Sequence, residues 1–248
     1  MADLEKQTAA LERTDWHVLV ILDACRIDYF RPLCIGGAPA VRSPATCTRQ
    51  WFKAMLNGGC LDGATYVNAN PVVQDVVTNR DEVPLDVQYF RRGGDGTVYP
   101  ETLTDWVLDR ARSAGQPERL VVHYLQPHLP NIGDWDEAAG HWPEDAEEPG
   151  DRAYAANLWR AWVQVCRLIK GLRGRIVVTS DHGEMLGEED GKRGHECHWD
   201  HPVLRRVPWL VVADLGGHEA SGADDWSTGE EPDEEEIKER MRKLGYVE

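Results

Sequence analysis

Residues 175–184 read RIVVTSDHGE, an apolar run that ends abruptly on an acid, an imidazole and a glycine. In α/β proteins, ligands bind beyond the carboxyl ends of buried strands, because the chain turns there and side chains project into a crevice. Asp181 and His182 supply one oxygen and one nitrogen donor, a pair suited to Zn²⁺ or Mn²⁺. A capped turn with a solvated Asp-His pair is the alternative interpretation of this stretch.

A second stretch has the same design. Residues 16–23 read WHVLVILD, a continuous apolar run with β-branched residues that is typical of a strand buried on both faces. This run also ends on an acid, Asp23, and residues 24–30 follow it with helical spacing. Two central strands can place Asp23 beside Asp181, and two close carboxylates repel unless a cation or a proton lies between them. The two acids therefore predict a metal site.

Hydroxyl groups suited to nucleophilic attack lie in residues 42–52, which read RSPATCTRQWF and predict a loop entering a helix. The hydroxyl of Thr46 or Thr48 at a helix N-terminus would face unpaired N–H groups and the positive end of the helix dipole, which suits an anionic substrate. Coordination to a metal would lower the pKa of such a hydroxyl and make it a usable nucleophile. Both threonines are also typical of plain helix N-caps.

Four motifs follow one another in a characteristic order. They are LDACRID at residues 22–28, Ser43-Pro44 with Thr48 and Trp51, His123 with His128 and Pro130, and SDHGEMLGE at residues 180–188. This order resembles the alkaline phosphatase/sulfatase superfamily, and the last motif is most similar to its sulfatase-like and lipid-phosphotransferase branches. Gly194-His195 and LRRVPWLVV at residues 204–212 resemble the late histidine and closing strand of that superfamily. The resemblance covers residues 16–213.

The resemblance implies a role for each matched position. The cofactor would be a divalent metal ion, with Zn²⁺, Mn²⁺, Mg²⁺ and Ca²⁺ all open. The metal ligands would be Asp23, Thr48, Asp181 and His182. The catalytic residues would be Thr48 as the attacking group, His128 at the leaving group, and His195 at the transferred group or a second metal. The substrate-binding residues would be Arg26 and His123. For Arg26, an ordinary surface arginine is the alternative.

The segment around Cys47 departs from the modified-cysteine sulfatases of this superfamily. Those enzymes carry Pro at the second and Arg at the fourth position after the modified residue, whereas Cys47 is followed by Thr48-Arg49-Gln50-Trp51. The resemblance therefore implies a hydrolase or transferase that acts on phosphate esters or diesters of small molecules, lipids or sugars through a metal-activated threonine. A sulfatase, and a metal-binding but inactive member that acts as a binding protein, are the alternatives. The superfamily's Asp-x-x-x-His pair has no clear match, which leaves a second metal open.

A histidine-rich loop complicates the assignment, because residues 195–201 read HECHWDH and resemble a zinc loop by composition. The spacing lacks the paired Cys-x-x-Cys geometry of structural zinc sites. We therefore expect one imidazole of this loop to serve the active site and the others, with His198 and His201 among the candidates, to make local hydrogen bonds. A separate structural zinc is the alternative.

Further apolar runs predict strands at residues 64–68, 119–125 and 207–213, and helical spacing predicts helices at residues 103–114, 152–172 and 234–244. Because strands and helices alternate, we expect an α/β fold, a three-layer sandwich with a mostly parallel central sheet of the alkaline-phosphatase-like kind. Residues 1–215 would form one catalytic domain. Residues 216–248 would form an acidic linker and a C-terminal helix packed on the same domain.

Composition sets expectations about the surroundings of the protein. The net charge is −16, from 43 acids and 27 bases that are Arg far more often than Lys, which is typical of proteins from a high-salt cytoplasm. The lack of a basic stripe argues against nucleic-acid binding. Six cysteines without a pairing pattern predict reduced thiols, and the sequence shows neither a secretory leader nor an apolar run long enough to span a bilayer. We therefore expect a cytoplasmic, halophilic protein without a membrane span.

Overall fold

Strand β1 (Val18–Asp23) lies in the middle of the central sheet of the computed structural model, which describes residues 4–34, 37–80, 83–94, 96–142 and 149–212. Within these ranges the sheet has seven strands. The others are β2 (Ala40–Arg42), β3 (Thr65–Asn68), β4 (Asp86–Tyr89), β5 (Leu120–Pro127), β6 (Ile176–Thr179) and β9 (Arg206–Val212). Strands β7 (Met185–Leu186) and β8 (Arg193–Gly194) form a separate small hairpin. The spatial order is β2-β9-β6-β1-β5-β3-β4.

The sheet is mostly parallel, as predicted. Strands β6, β1, β5, β3 and β4 run parallel to one another, whereas β9 is antiparallel to both β6 and β2. The helices in the described ranges are α1 (Gln7–Arg13), α2 (Ile27–Phe30), α3 (Thr48–Asn57), α4 (Pro71–Thr78), α5 (Pro100–Ala114), α6 (Trp135–Ala139), α7 (Arg152–Gly171), α8 (Glu188–Gly191) and α9 (Pro202–Arg205). None of these helices is long and apolar enough to cross a membrane.

Two hydrophobic cores lie on opposite faces of the sheet, and β1 contributes to both. Val18, Val20 and Leu22 pack into a core that includes residues of α5 and α7. The alternate residues Leu19 and Ile21 pack into a second core that includes residues of α1, α3 and α4. Each fully buried aliphatic side chain contributes roughly 1.5–3 kcal/mol. Burial on both faces explains the unbroken apolar run and gives the predicted three-layer sandwich.

The long helices begin where local chemistry favours a start. Helix α7 matches the predicted 152–172 within one residue, and its N-cap Asp151 accepts a 3.0 Å hydrogen bond from Tyr154 N–H. Helix α5 begins three residues before the predicted 103–114, because Pro100 occupies the first helical position, where a missing N–H costs nothing. The helical spacing of apolar residues therefore located both helices, and the capping residues determine where they begin.

The predicted strands at residues 64–68, 119–125 and 207–213 correspond to β3, β5 and β9. Strands β2 and β4 were missed, because each lies at an edge of the sheet, is only three or four residues long and lacks a fully buried run. The predicted helix at 234–244, the linker at 216–233 and the domain boundary after residue 215 lie outside the described residues.

Candidate active site

The two acids predicted to meet lie side by side at the centre of the sheet. Strands β1 and β6 are parallel neighbours, and their register pairs Ile21 with Thr179. Asp23 and Asp181 each come two residues later, so both carboxyl groups project from the same edge of the sheet. Their exposed fractions are 1% and 0%. The fold thus brings two buried carboxyl groups together at the carboxyl ends of two central strands.

Thr48 joins this pair from the start of helix α3. Cys47 is the N-cap of the helix and Thr48 is its first residue, so neither Thr46 nor Thr48 is the N-cap. The Thr48 hydroxyl donates a 2.7 Å hydrogen bond to Asp181 Oδ2, and its oxygen lies 3.2 Å from His182 Nε2. With Thr48 at 4% exposure, a reactive hydroxyl is held between a carboxylate and an imidazole at the positive end of a ten-residue helix.

His182 is a neutral imidazole with a defined orientation. Its Nδ1–H donates to Gly183 O at 2.8 Å, which leaves Nε2 with a lone pair, 3.2 Å from Asp181 Oδ2 and 3.8 Å from Asp23 Oδ1. Complete burial lowers the pKa of His182 to about 4, so the ring is uncharged at neutral pH. Glycine at 183 is required by close packing, since a Cβ there would lie 2.1 Å from Val203 O.

The two carboxyl groups differ in their affinity for a proton. Burial and the negative charge of Asp181 raise the pKa of Asp23 well above its usual range, although Asn70 donates a hydrogen bond to Asp23 Oδ2. Burial also acts to raise the pKa of Asp181, but the imidazole of His182 and a 3.0 Å hydrogen bond from Ala24 N–H outweigh it and hold that pKa below the usual value. Asp23 therefore keeps its proton to a higher pH than Asp181 does.

The donor set fits a divalent metal ion. One donor atom from each of Asp23, Asp181 and His182 lies within 4.8 Å of the others. Asp23 Oδ1 and His123 Nε2 are buried and have no hydrogen-bond partner among the described residues. His123 Nε2 lies 4.0 Å from Oδ2 of both acids, and its Nδ1 is hydrogen-bonded to Tyr66 Oη at 2.8 Å. Two unpartnered donors between buried carboxyl groups are what a bound cation would satisfy.

His123 was predicted to contact the substrate, and the structure places it in this buried cluster. The side chain comes from β5, the other neighbour of β1, and its exposed fraction is 0%. Burial lowers the pKa of His123 to about 4, so this imidazole is also neutral. A neutral nitrogen without a partner, facing two carboxyl groups, is better suited to a metal ion than to a substrate anion.

A second donor group lies next to the first. It consists of His128, Glu184 and His195, which each offer a donor atom within 4.8 Å of the others. His195 Nδ1 lies 3.0 Å from Glu184 Oε2, and its ring centroid lies 4.9 Å from that of His128 and 4.3 Å from that of His182. The structure thus brings both predicted histidines to the site.

These two histidines have opposite pKa shifts. Burial lowers the pKa of His195, but the hydrogen bond and charge of Glu184 outweigh it and raise that pKa above the usual value. Burial and the neighbouring His195 lower the pKa of His128, whose Nδ1–H donates to Leu129 O at 2.8 Å. Of the two, His195 is therefore the better proton donor and His128 the better proton acceptor.

Arg26 is engaged by carboxylates of the chain rather than left open for a substrate anion. Its guanidinium forms ion pairs with Asp28, at 2.6 Å, and with Glu188, at 2.5 Å. It also donates to Glu184 O at 3.3 Å, and the residue is only 6% exposed. The predicted substrate contact of Arg26 therefore has no support in this geometry, because the single positive charge of its guanidinium is already paired with two carboxylates. Arg26 instead ties the end of β1 to the loop that follows His182.

Asn70 is a site residue that the sequence interpretation missed. Its Oδ1 accepts from Val72 N–H at 2.8 Å and caps α4, while its Nδ2 donates to Asp23 and, at 3.3 Å, to Thr48 Oγ1. One signal was available, because an asparagine just before Pro71 follows a predicted strand and such a polar residue belongs at the carboxyl edge of the sheet.

The turn after β1 is strained and held in place from α7. Ala24 has φ of 60°, a left-handed conformation that costs a non-glycine residue roughly 1–2 kcal/mol. This conformation lets Ala24 N–H donate to Asp181 Oδ1. The Tyr154 hydroxyl donates to Ala24 O at 2.6 Å and accepts from Arg26 N–H at 2.9 Å, so a single buried phenol clamps both sides of the turn. Strain of this kind is concentrated at functional sites.

A disulfide joins Cys47 to Cys197, so the expectation of reduced thiols throughout is wrong. The two cysteines are 150 residues apart, and such a separation leaves no spacing pattern that a sequence could show. The remaining described cysteines are free thiols: Cys25, Cys34, Cys60 and Cys166. The bond attaches the residue before Thr48 to the histidine-rich loop.

The histidine-rich loop sends only the first of its three histidines to the site. His201 Nδ1 accepts from Val203 N–H at 3.2 Å and caps α9, and its Nε2 lies 3.4 Å from Glu189. His198 is exposed, and Cys197 is used by the disulfide. Among the described residues no group of metal donors includes this part of the loop, so the alternative of a separate structural zinc finds no support there.

Comparison with known proteins decides the fold. No protein-family model matches the sequence, and no curated protein sequence matches it significantly. Among solved structures, the soluble domain of lipooligosaccharide phosphoethanolamine transferase A from Neisseria meningitidis has a TM-score of 0.55 at 14% identity, covering 85% of this chain and 77% of that one. The chain has the alkaline phosphatase/sulfatase-like fold. The fold expected from the motifs is thereby confirmed.

Two further structures with this alkaline phosphatase/sulfatase-like fold are similar to the chain. The C-terminal periplasmic domain of phosphoethanolamine transferase EptC from Campylobacter jejuni has a TM-score of 0.52 at 15% identity, covering 78% of this chain and 77% of that one. The corresponding periplasmic domain of EptC from Escherichia coli, in complex with Zn, has a TM-score of 0.52 at 14% identity, covering 87% and 77%.

The expectation of a cytoplasmic location is wrong. Two of these solved structures with the alkaline phosphatase/sulfatase-like fold are described as periplasmic domains. The disulfide between Cys47 and Cys197 agrees with them, because such bonds persist in oxidising compartments and are rare in the cytoplasm. The cysteine count misled the sequence interpretation, since it treated unpatterned cysteines as reduced.

Proposed function

We propose that this protein is a metal-dependent hydrolase or transferase of phosphate esters or diesters, with Thr48 as the nucleophile. The observation that carries the proposal is the Thr48 hydroxyl, which is buried at the N-terminus of α3 and hydrogen-bonded to Asp181 Oδ2. A hydroxyl in this position has an acceptor for its proton and faces unpaired N–H groups that suit a phosphate. The phosphoethanolamine transferases that share the fold support the same reaction class.

Asp23, Asp181, His182 and Thr48 would hold the metal ion, and His123 is a further candidate ligand because its Nε2 is unpartnered among the described residues. When bound, the ion would supply Lewis-acid charge that lowers the pKa of the Thr48 hydroxyl and offsets charge on the phosphate oxygens. Tyr66 orients the His123 ring, because the tautomer with its proton on Nδ1 donates to Tyr66 Oη and leaves Nε2 as a lone pair.

Three residues of the chain transfer the protons in the proposed reaction. As Thr48 Oγ1 forms its bond to phosphorus, its proton leaves along the 2.7 Å hydrogen bond to Asp181 Oδ2. The bond from phosphorus to the leaving oxygen breaks. We assign the proton donor for that oxygen to His195, and not to His128 as the resemblance implies, because Glu184 raises the His195 pKa. His128, neutral because its pKa is lowered, then takes a proton from the incoming water or alcohol. Attack by that oxygen breaks the bond from phosphorus to Thr48 Oγ1, which takes its proton back from Asp181. Exchange with solvent then returns a proton to His195 and removes one from His128.

The surroundings of the site favour a substrate with an apolar part. Leu129 directly follows His128 and is 61% exposed, which is unusual for a large aliphatic side chain. Asn157 holds the turn in place, because its side-chain amide donates to the carbonyl oxygens of Pro127 and His128 at 2.9 and 3.0 Å. The solved relatives are named for phosphoethanolamine and lipooligosaccharide. We propose a lipid or sugar phosphate ester as substrate, and a periplasmic or extracellular location.

The two alternatives have less support. A modified-cysteine sulfatase needs a free Cys or Ser at the nucleophile position, whereas Cys47 is in a disulfide and Ser43 Oγ is hydrogen-bonded to Asp181 O and Ala45 O. A binding protein without turnover would not need an acid–base pair such as His195 and His128 beside the hydroxyl of Thr48. Both alternatives are outcomes of the experiment below.

The test uses the purified full chain, stripped of metal and reloaded separately with Zn²⁺, Mn²⁺, Mg²⁺ or Ca²⁺. The substrates are p-nitrophenyl phosphate, bis-p-nitrophenyl phosphate and p-nitrophenyl sulfate. We expect metal-dependent release of p-nitrophenol from a phosphate substrate, lost by about a thousandfold or more in Thr48→Ala. Thr46→Ala, which changes an adjacent buried threonine that lies outside the cluster, should stay within a few fold of the parent protein. Turnover of the sulfate alone, or none with any metal, would contradict the proposal.

A further inference from the structure

The loop that carries His195 is joined covalently to the helix that carries Thr48. Cys47 directly precedes Thr48, Cys197 lies two residues after His195, and their disulfide brings the two Cα atoms to 5.1 Å. The attacking hydroxyl and the proton donor therefore sit one and two residues from the same bond. Cys47 is 5% exposed, so the disulfide is anchored at this end in the buried part of the protein beside the site.

The non-covalent ties of the loop lie mostly at the surface, and they include an ion pair of 2.8 Å between the exposed Arg193 and Asp151. Residues 191–198 are exposed except for half-buried Gly194 and His195, so this part of the chain buries little apolar surface. Its pairing in the hairpin of β7 and β8 covers only two residue pairs. The hydroxyl of Thr46 donates to Cys197 O at 3.3 Å, a long hydrogen bond between the two segments that the disulfide joins.

We propose that the Cys47–Cys197 disulfide is a positioning device that holds His195 beside Glu184 and His182, so that the leaving-group acid keeps a fixed position relative to Thr48. This inference rests on the proposed function only for the roles of Thr48 and His195. Cys47 and Cys197 touch no reacting atom in it. Opening the bond frees the loop, and His195 then loses its place beside Glu184 while the cluster of Asp23, Asp181 and His182, anchored on the strands, stays intact.

A first measurement needs no activity. Hydrogen–deuterium exchange is compared for the metal-free full chain before and after reduction with a water-soluble phosphine. The phosphine takes the oxygen of water to become a phosphine oxide, and the two hydrogens of that water end on the thiols of Cys47 and Cys197. We expect peptides of residues 191–200 to exchange about tenfold faster or more after reduction, while α7 (Arg152–Gly171) is unchanged. Equal exchange of the loop in both forms would overturn the inference.

A second measurement separates positioning from general stability. Cys47→Ser/Cys197→Ser is compared with the parent protein on p-nitrophenyl phosphate and on phenyl phosphate, whose leaving oxygen is more basic and needs a proton more. We expect kcat on phenyl phosphate to fall about tenfold or more and kcat on p-nitrophenyl phosphate to fall less than about threefold, with bound metal unchanged. Cys166→Ala, a free cysteine on α7, is the matched control and should change neither rate.

The same variant is then made together with His195→Ala, which closes a double-mutant cycle. If the disulfide acts through His195, kcat on phenyl phosphate should be the same in His195→Ala with the disulfide and in His195→Ala without it. If the two losses multiply, the disulfide does not act through His195 and the inference is overturned. If His195→Ala alone changes neither substrate, the acid role in the proposed function fails, whereas the exchange experiment still decides whether the disulfide fixes the loop.

Discussion

Thr48 Oγ1 donates a 2.7 Å hydrogen bond to Asp181 Oδ2, which connects the first residue of α3 to the loop that follows β6. The two residues are 133 positions apart in the sequence. Both are buried, and the contact is completed by Asn70 Nδ2 at 3.3 Å and His182 Nε2 at 3.2 Å from the same hydroxyl. This hydroxyl therefore has a fixed orientation before any substrate arrives, which is the preorganisation that nucleophilic catalysis needs.

Binding of a metal should release a proton. Burial and Asp181 raise the pKa of Asp23, so a divalent cation has to compete with a proton for this carboxyl group at a higher pH than for an ordinary aspartate. We expect the affinity for Zn²⁺ to fall as the pH is lowered, and calorimetry in buffers of different ionisation enthalpy to report close to one proton released near neutral pH. In Asp23→Asn the release should disappear together with most of the affinity. Release that is unchanged in this variant would show that the proton comes from another group.

The rate should follow a bell-shaped dependence on pH. His128, with a lowered pKa, must be neutral, so kcat/KM on phenyl phosphate should rise with pH through a point below the usual histidine value. His195, with a raised pKa, must be protonated, so the rate should fall as pH rises through a point above that value. Glu184→Gln removes the cause of the raised pKa and should move the falling limb to lower pH. If the falling limb does not move in Glu184→Gln, His195 is not the acid whose pKa Glu184 raises.

The clamp of Tyr154 on the turn after β1 should matter for catalysis as well as for stability. Tyr154→Phe leaves Ala24 O and Arg26 N–H without their partner, which should cost about 1–3 kcal/mol of unfolding free energy and lower kcat about tenfold. Tyr124→Phe is the control, since this equally buried hydroxyl bonds Thr104 away from the cluster. The control should lose stability and keep kcat. Equal kcat in both variants would mean that the turn needs no clamp.

The charge of −16 predicts a dependence on salt. Mutual repulsion of carboxylates should destabilise the fold in dilute buffer, and raising the ionic strength from 0.01 M to 1 M shortens the screening length from roughly 30 Å to about 3 Å. We expect Tm to rise by several degrees in KCl, measured without phosphate because phosphate would bind the site. The acid runs at 144–148 and 233–236, which lie outside the described residues, should carry part of the effect. A Tm independent of KCl would end the halophilic interpretation.

The sequence located the core of the fold and of the site for a definite physical reason. Strands β1 and β6 are buried on both faces, so each is an unbroken apolar run, and each is followed at the same register by an acid, Asp23 or Asp181. Neighbouring parallel strands with this design must bring their acids together. The motif order added Thr48, His128 and His195, all of which the structure places around these acids.

What the sequence could not supply depends on contacts between distant segments. Nothing near Cys47 or Cys197 indicates their pairing across 150 residues. The resemblance implied a substrate contact for Arg26, but its guanidinium is paired with Asp28 and with Glu188, a residue 162 positions away. Such partners are fixed by tertiary packing, and no local pattern reports them.

The most direct test of the account is to look for the phosphorylated nucleophile. The metal-loaded protein is mixed with excess p-nitrophenyl phosphate, quenched in acid within the first turnovers, digested and analysed by mass spectrometry. If Thr48 is the nucleophile, we expect one phosphoryl group on the peptide that contains Thr48, localised to that residue by fragmentation, and none in Thr48→Ala. A phosphoryl group on another residue, such as Ser43, or rapid turnover by Thr48→Ala, would contradict it.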